Sequence, residues 1–477
     1  MEKAKSEFRL ALETACGKAL AHLENLEQAS VAATVDVNIL RSRLAKRLTN
    51  QGLAPQRVVE ELAADVQGGL TGTAGGRFFG WVIGGALPAA LAADWLTGAW
   101  DQNAGLYACS PAAAVVEEVA GEWLKEILSL PAEASFALVT GCQMAHVTCL
   151  AAARHELLSK RGWDVEQQGL YGAPKIRIFA NGQKHGSVDR AVRMLGMGLS
   201  QVVSLATDSQ GRLQSEALRN ALECEREAPA IVLLQAGDVN TGACDDYEAL
   251  IPLAKKHGAW IHVDGAFGLW AAASPRYAHM MRGVAAADSW ATDGHKWLNV
   301  PYDCGFAFVA RAEPHRAAMA YHAAYLTHAN DRRDSMDWNP EFSRRARGFS
   351  TYAALRELGR DGIAALIERC CKHAESLVNG IGCLRDAEVL SPAMLNQGLV
   401  RFRAPRSNAT EADHDRRTDE TIAGILASGE AFFTGTTWQG RRAMRVSVCN
   451  WQTSEKDVER AIRAAANVLR AFAVSSH

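Results

Sequence analysis

Residues 260–266 read Trp-Ile-His-Val-Asp-Gly-Ala, a β-prone run that stops at a carboxylate and continues into two small residues. This predicts a strand buried on both faces, followed by backbone that a flat ligand can approach closely. Outward from it the pattern repeats. Apolar β-prone runs occur at Phe136–Thr140, Ile176–Phe179, Val202–Leu205, Ile231–Leu234 and Phe306–Val309. Helix-like stretches separate several of them, at Met144–Leu158, Ser187–Gly196, Ser215–Glu223 and Tyr247–His257. Such alternation predicts an α/β fold, a mainly parallel sheet covered on both faces. Ligands gather beyond the carboxyl ends of such strands, so the residues just after each run are the candidates for chemistry.

The ends of the chain read differently. In residues 1–66, Phe8, Leu10, Leu12, Ala19, Leu23 and Leu26 recur near helical spacing, which predicts a helical N-terminal arm whose apolar stripe docks on a partner subunit. At the other end Arg445–Cys449 alternates like a half-exposed strand. Ser454 and Asp457 then form a capping-box-like start for a helix reaching about Phe472. The expected division is a helical arm over 1–87, a large α/β domain over 88–350 and a small α+β domain over 351–477.

Bulk properties exclude several classes. The 51 basic and 53 acidic residues are mixed along the chain and leave a formal charge of −2, so no nucleic-acid or anionic-membrane footprint is expected. The most apolar stretch, Phe78–Trp100, is interrupted by Gly84, Gly85, Pro88 and Asp94 and does not read as a membrane span. Eleven cysteines fall at irregular spacings without a Cys-x-x-Cys or a zinc-like Cys/His set, so no metal site is expected. The first residues mix charges and lack the apolar core of a secretory signal; the expectation is a cytoplasmic protein with reduced thiols.

Three segments concentrate chemistry-bearing side chains. His262-Val-Asp264-Gly-Ala266 ends a strand in a carboxylate. Asp288-Ser289-Trp-Ala-Thr-Asp293-Gly-His295-Lys296-Trp297 sets a lysine among aromatic and small residues rather than in a solvated charge run. Asn181-Gly-Gln-Lys-His185-Gly-Ser187 places an imidazole after another strand.

Together with Asn240-Thr241-Gly242-Ala243, and in this order, these segments resemble the group II pyridoxal-phosphate-dependent decarboxylases, the family of the aromatic-amino-acid and glutamate decarboxylases. The resemblance runs from about Arg77 to Val458. It implies the fold-type I architecture of pyridoxal-phosphate enzymes, a homodimer or a multiple of one, and pyridoxal 5'-phosphate bound as an imine to Lys296. It further implies that Asp264 pairs with the pyridine nitrogen, that Ala266 packs on one ring face, and that His185 stacks on the other and helps position the substrate carboxylate. Thr241 resembles a neighbour of the ring's phenolate or of the substrate.

The turn Val139-Thr-Gly-Cys142-Gln143-Met-Ala145 is expected to hold the phosphate on backbone N–H groups at a helix start. The family usually has Ser, Gly or Ala where Cys142 and Gln143 stand. His295, with Ser289 or Asp293, completes the cradle, although relatives often carry Asn at the position of Asp293. A partly desolvated, cation-rich site is expected to lower the pKa of Lys296.

These residues imply the cofactor, and other positions bear on the reaction. Tyr325 matches the loop tyrosine that protonates the substrate's Cα in the decarboxylases, where aldehyde-forming relatives tend to carry Phe; the polar stretch His328–Asp337 reads as part of a closing lid. Trp81, Gly84, Asn103 and Gly105 resemble the side-chain pocket, the last two contributed by a partner subunit. The polar, open wall at Asn103 and Gly105 disfavours a simple aromatic substrate. Arg445 resembles an arginine that meets the substrate carboxylate in some relatives. The expected reaction is α-decarboxylation of an L-amino acid to its amine. A carbon–carbon lyase, an aminotransferase-like enzyme and an oxidative aldehyde-forming enzyme stay open as alternatives on the same cofactor. So does a non-catalytic binding protein of this fold.

Overall fold

The computed structural model describes residues 2–321 and 332–474. Helices α1 (Glu2–Asn25), α2 (Val37–Leu44) and α3 (Pro55–Asp65) open the chain. Asp36 caps α2 by accepting the N–H groups of Asn38 and Ile39, and Pro55 starts α3 where its missing N–H costs nothing. Two further helices, α4 (Pro88–Trp100) and α5 (Pro111–Ile127), lead into the sheet. Among the described residues no helix is long and apolar enough to cross a membrane.

The central alternation follows in order: β1 (Ser135–Val139), α6 (Cys142–Ser159), α7 (Val165–Gln168), β2 (Arg177–Asn181), α8 (Gly186–Met194), β3 (Val202–Leu205), α9 (Ser215–Cys224), β4 (Ala230–Gln235), α10 (Tyr247–Lys256), β5 (Trp260–Asp264), β6 (Ser289–Asp293), β7 (Gly305–Val309) and α11 (Ala312–Met319). The seven strands form one sheet in the order β1-β7-β6-β5-β4-β2-β3, in which β7 alone runs antiparallel. Strands β1, β4, β5, β6 and β7 are buried along their whole length, as a sheet covered on both faces requires.

Helix α12 (Gly348–Gly382) crosses the expected boundary at residue 350. It packs on α4 and α5 at one end and on the small sheet at the other, bending at Gly359. That second sheet is antiparallel, in the order β10-β11-β9-β8, from β8 (Ala387–Met394), β9 (Gln397–Phe402), β10 (Thr434–Trp438) and β11 (Arg441–Ser447). Helices α13 (Glu411–Ala427) and α14 (Glu455–Val474) complete this part. The fold is therefore the α/β architecture expected. One strand escaped the sequence pattern: β6 carries Ser289, Thr292 and Asp293, and all three are buried. Their polarity hid a central strand.

One buried side chain joins three distant segments. Asn299 Oδ1 accepts the N–H groups of Gly85 (2.8 Å) and Trp451 (3.0 Å), while Nδ2 donates to the carbonyls of Trp297 (2.9 Å) and Cys449 (3.0 Å). Asn is among the few residues that tolerate the left-handed backbone found there, φ +54°. Replacing Asn299 by Ala orphans two buried N–H groups and two carbonyls. We expect a loss of at least about 4 kcal/mol in stability, from about 1–3 kcal/mol for each of the four stranded groups. Urea unfolding checks this, and an unchanged midpoint would show that the segments hold together without it.

Candidate functional site

Because β1, β2, β4, β5 and β6 run parallel, their carboxyl ends share one edge of the sheet. Asp264 ends β5 and Asp293 ends β6, on adjacent strands. Helix α6 starts three residues beyond β1 on the same edge, and Gly305, opposite Asp293 in the sheet, lies so close to Gly141 that no side chain fits between them.

Asp293 is held by donors on three sides. Its Oδ1 accepts the Cys142 N–H at 2.6 Å and lies 3.4 Å from His295 Nε2; its Oδ2 is 3.0 Å from Lys296 Nζ. The His295 ring stacks on Tyr302 at 4.3 Å, and its Nδ1 accepts the Cys304 N–H, which leaves Nε2 as the protonated nitrogen. Burial pushes the His295 pKa down against the pull of Asp293, so the ring donates as a neutral imidazole. The start of α6 is thus an anion site filled by a carboxylate of the same chain.

Asp264 is buried, with Oδ1 accepting the Ala266 N–H (3.1 Å) and Oδ2 facing His146 Nε2 (3.5 Å). Burial opposes its ionisation, but His146, His185 and Lys296 outweigh burial and hold the carboxyl well below the ordinary carboxylate range. For Lys296, burial opposes the charge while Asp293, Cys142 and Asp264 favour it, so its pKa is raised. This corrects the expectation of a cation-rich site: two carboxylates flank the amine. Cys142 Sγ lies 3.5 Å from His146 and 3.8 Å from Asp264, bringing three ligating groups within 4.8 Å of one another. Burial pushes the thiol's pKa well up, which makes it a poor metal ligand.

Other residues fall variously. His185 caps α8, with Nδ1 2.8 Å from Ser187 Oγ, and lies within electrostatic reach of Asp264, Lys296 and Arg445. Thr241 directs its single hydroxyl proton at the Gln210 carbonyl (2.8 Å), close to Asp238. Next to it, Gly242 has φ +78° and abuts the Met394 carbonyl, so only glycine fits. Gln143 turns toward α8, where Arg190 and Met194 meet its side chain. Ser289 begins β6, at the opposite end from Asp293, and its hydroxyl contacts Trp260 and His262; it is not part of the anion cradle.

Arg445 lies in β11, buried, with no hydrogen-bond partner for Nε among the described residues. Burial pushes its pKa down to about 10, with Asp238 pulling the other way. Trp81 is half exposed beside Phe78 and Phe432. Gly84 lies directly against the Lys296 carbonyl oxygen, so it shapes the lysine loop. The Asn103 carbonyl accepts the N–H groups of Gly105 (2.9 Å) and Arg344 (3.3 Å), so that part of its side chain organises a turn. Tyr325 and residues 328–331 of the stretch His328–Asp337 lie outside the described residues.

The comparisons fit this geometry. The family model described as "Pyridoxal-dependent decarboxylase conserved domain" matches residues 40–405. The chain belongs to that family. It is 27% identical to an aromatic-L-amino-acid decarboxylase of Bacillus atrophaeus over 92% of this chain and 90% of the relative. It is 25% identical to a phenylacetaldehyde synthase of Petunia hybrida over 90% and 87%. Among solved structures, Oryza sativa TDC with PLP and tryptamine superposes with a TM-score of 0.91 at 23% identity, covering 98% of each chain.

The protein is a pyridoxal-phosphate-dependent enzyme, a carboxy-lyase by family. Its residues fit the cofactor: an amine at Lys296, a buried ionised Asp264, and helix N–H groups with His295 in an anion cradle. Asp293 is the exception, since its carboxylate would repel a phosphate. His146 escaped the sequence reading, and His262 was quoted there without a role of its own. His146 lies one helical turn after Cys142, and His262 shares a strand face with Asp264; those spacings were the available signal. Asp293→Asn keeps the shape and removes the charge. We expect pyridoxal phosphate to bind about tenfold more tightly, the effect of about 1.4 kcal/mol. Equilibrium titration of the apoenzyme checks this, and weaker binding would mean that the carboxylate helps to hold the phosphate.

Proposed function

We propose that the enzyme catalyses α-decarboxylation of an L-amino acid, releasing carbon dioxide and the matching amine. The observation that carries this reading is the grouping of Lys296, Asp264 and the buried Arg445 around His185. When bound, pyridoxal phosphate supplies the electron sink for the pair left behind by departing carbon dioxide. Lys296 is the point of covalent attachment. Asp264 holds a proton at the ring nitrogen by charge pairing, which strengthens the sink. Ala266 and His185 cover the two ring faces, and Arg445 orients the substrate carboxylate. Tyr325 delivers the proton to Cα; its identity in the sequence favours amine over aldehyde as product.

We also propose a homodimer in a reducing cytoplasm. In support, Phe8 and Leu12 on α1 are 72% and 60% exposed, an apolar stripe suited to a second copy, and all eleven cysteines are free. Sedimentation of the holoenzyme should give a dimer or a multiple of one; a fully active monomer would overturn this.

A screen of L-amino acids should find at least one that yields carbon dioxide and amine in equal amounts. Aldehyde with peroxide from the unmodified enzyme would instead favour the oxidative alternative. For Tyr325→Phe we expect amine formation to fall roughly 100-fold or more, the scale of a lost general acid. Carbon dioxide release should persist at a reduced rate, with oxygen consumed and aldehyde, ammonia and peroxide formed. Unchanged amine output would remove Tyr325 from the reaction.

A further inference from the structure

Behind Asp264 lies a line of buried polar groups that the proposed chemistry does not use. Trp260, His262 and Asp264 project from the same face of β5, and Ser289 stands opposite His262 on β6. Helix α6 lays His146 over them. The Trp260 Nε1 donates to Ser289 Oγ at 2.9 Å, and Ser289 Oγ is 2.9 Å from His262 Nδ1. His262 Nε2 is 2.9 Å from His146 Nδ1, and His146 Nε2 faces Asp264 Oδ2 at 3.5 Å. Trp260, Ser289, His262 and His146 are all buried, the last three completely.

The two ends are compatible with one direction through the whole chain. An indole N–H can only donate, and an ionised carboxylate can only accept. Ser289 accepts from Trp260 with one lone pair, and its own proton is free to go to His262 Nδ1. His262 then carries its proton on Nε2 and donates to His146 Nδ1, which leaves the His146 proton on Nε2, aimed at Asp264. Every link is satisfied with both imidazoles neutral. Consistently, burial pushes the His262 pKa down to about 3. Hydrogen bonds aligned in one direction polarise one another, and burial strengthens each of them.

We propose that the chain Trp260–Ser289–His262–His146 is a directional hydrogen-bond relay that keeps Asp264 ionised and aimed at the pyridine nitrogen, with His146 as the positioning residue. The inference rests on the assignment of Asp264 to that nitrogen. It reaches beyond it by assigning work to four residues that touch neither substrate nor cofactor.

The test uses holoenzyme reconstituted with pyridoxal phosphate labelled with ¹⁵N in the ring, and reads, across a pH titration, how the proton divides between the ring nitrogen and Asp264. His146→Leu removes the donor to Asp264. Losing a hydrogen bond to a charged group makes the carboxylate the stronger base and should move that division toward Asp264 by about one to two pK units. His146→Gln, whose amide can still donate, should recover most of the shift. Ser289→Ala, a smaller change at the far end, should move it in the same direction by roughly half a unit or more. It carries the test if His146→Leu does not fold. A merely structural role for His146 would lower the yield of holoenzyme and leave the titration unmoved. Asp264→Asn separates the two ideas. If it leaves the ring nitrogen protonated as before, the assignment of Asp264 is wrong. If it abolishes protonation while the His146 and Ser289 variants titrate like the unmodified enzyme, the relay is overturned.

Discussion

Asp264 and Asp293 end neighbouring parallel strands and are both buried, and a buried charge without a partner is among the costliest features a fold can carry. The parallel sheet makes this juxtaposition unavoidable, because strands that run the same way bring their last residues to one edge. Each carboxylate is compensated in its own way. Asp293 takes a helix N–H, a neutral imidazole and the Lys296 ammonium. Asp264 takes a backbone N–H and the His146 imidazole, with Lys296 and His185 within electrostatic reach.

On the proposed placement, this division gives the two ends of a flat, phosphorylated cofactor different surroundings. At the α6 start, donors converge on a point and suit any small anion. At Asp264 the donors lie behind the carboxylate and leave it ionised toward the site. Lys296 stands between, its charge favoured by both acids. The lysine loop is in turn held from behind by Gly84, which lies against the Lys296 carbonyl, and by Asn299, which ties the loop to the segments at Gly85 and Trp451.

Much of this was legible in the sequence, for physical reasons. Strands inside a sheet covered on both faces need continuous apolar runs, so β1, β2, β4, β5 and β7 announced themselves, as did the less buried edge strand β3, and the side chains placed after the parallel strands came to one edge. Strand β6 did not, because a central strand that carries several buried polar side chains looks like a loop. The sign of the Lys296 shift was misread because local sequence shows His295 beside the lysine, while the acids that decide the shift arrive through folding. Ser289 was misplaced for a related reason: four residues before Asp293 is close in sequence, but along an extended strand it spans roughly 13 Å at about 3.3 Å per residue. His146 went unnoticed because an imidazole on an apolar helix face carries no signal until its partners on β5 are known.

The sheet edge thus decides the cofactor and not the reaction. An amine, an ionised acid and an anion cradle serve any chemistry that drains electrons from Cα. What distinguishes one outcome from another is which bond at Cα is aligned with the ring and what donates the proton afterward. On the proposed reading those tasks fall to groups outside the sheet edge: Arg445, on a strand of the small sheet, and Tyr325, in the sequence between α11 and α12. Relatives named as decarboxylases and as aldehyde synthases match this chain at nearly equal identity, 27% and 25%, which is what such a separation predicts. Overall identity is set by a framework that both chemistries need, while the reaction turns on a few side chains too sparse to change it.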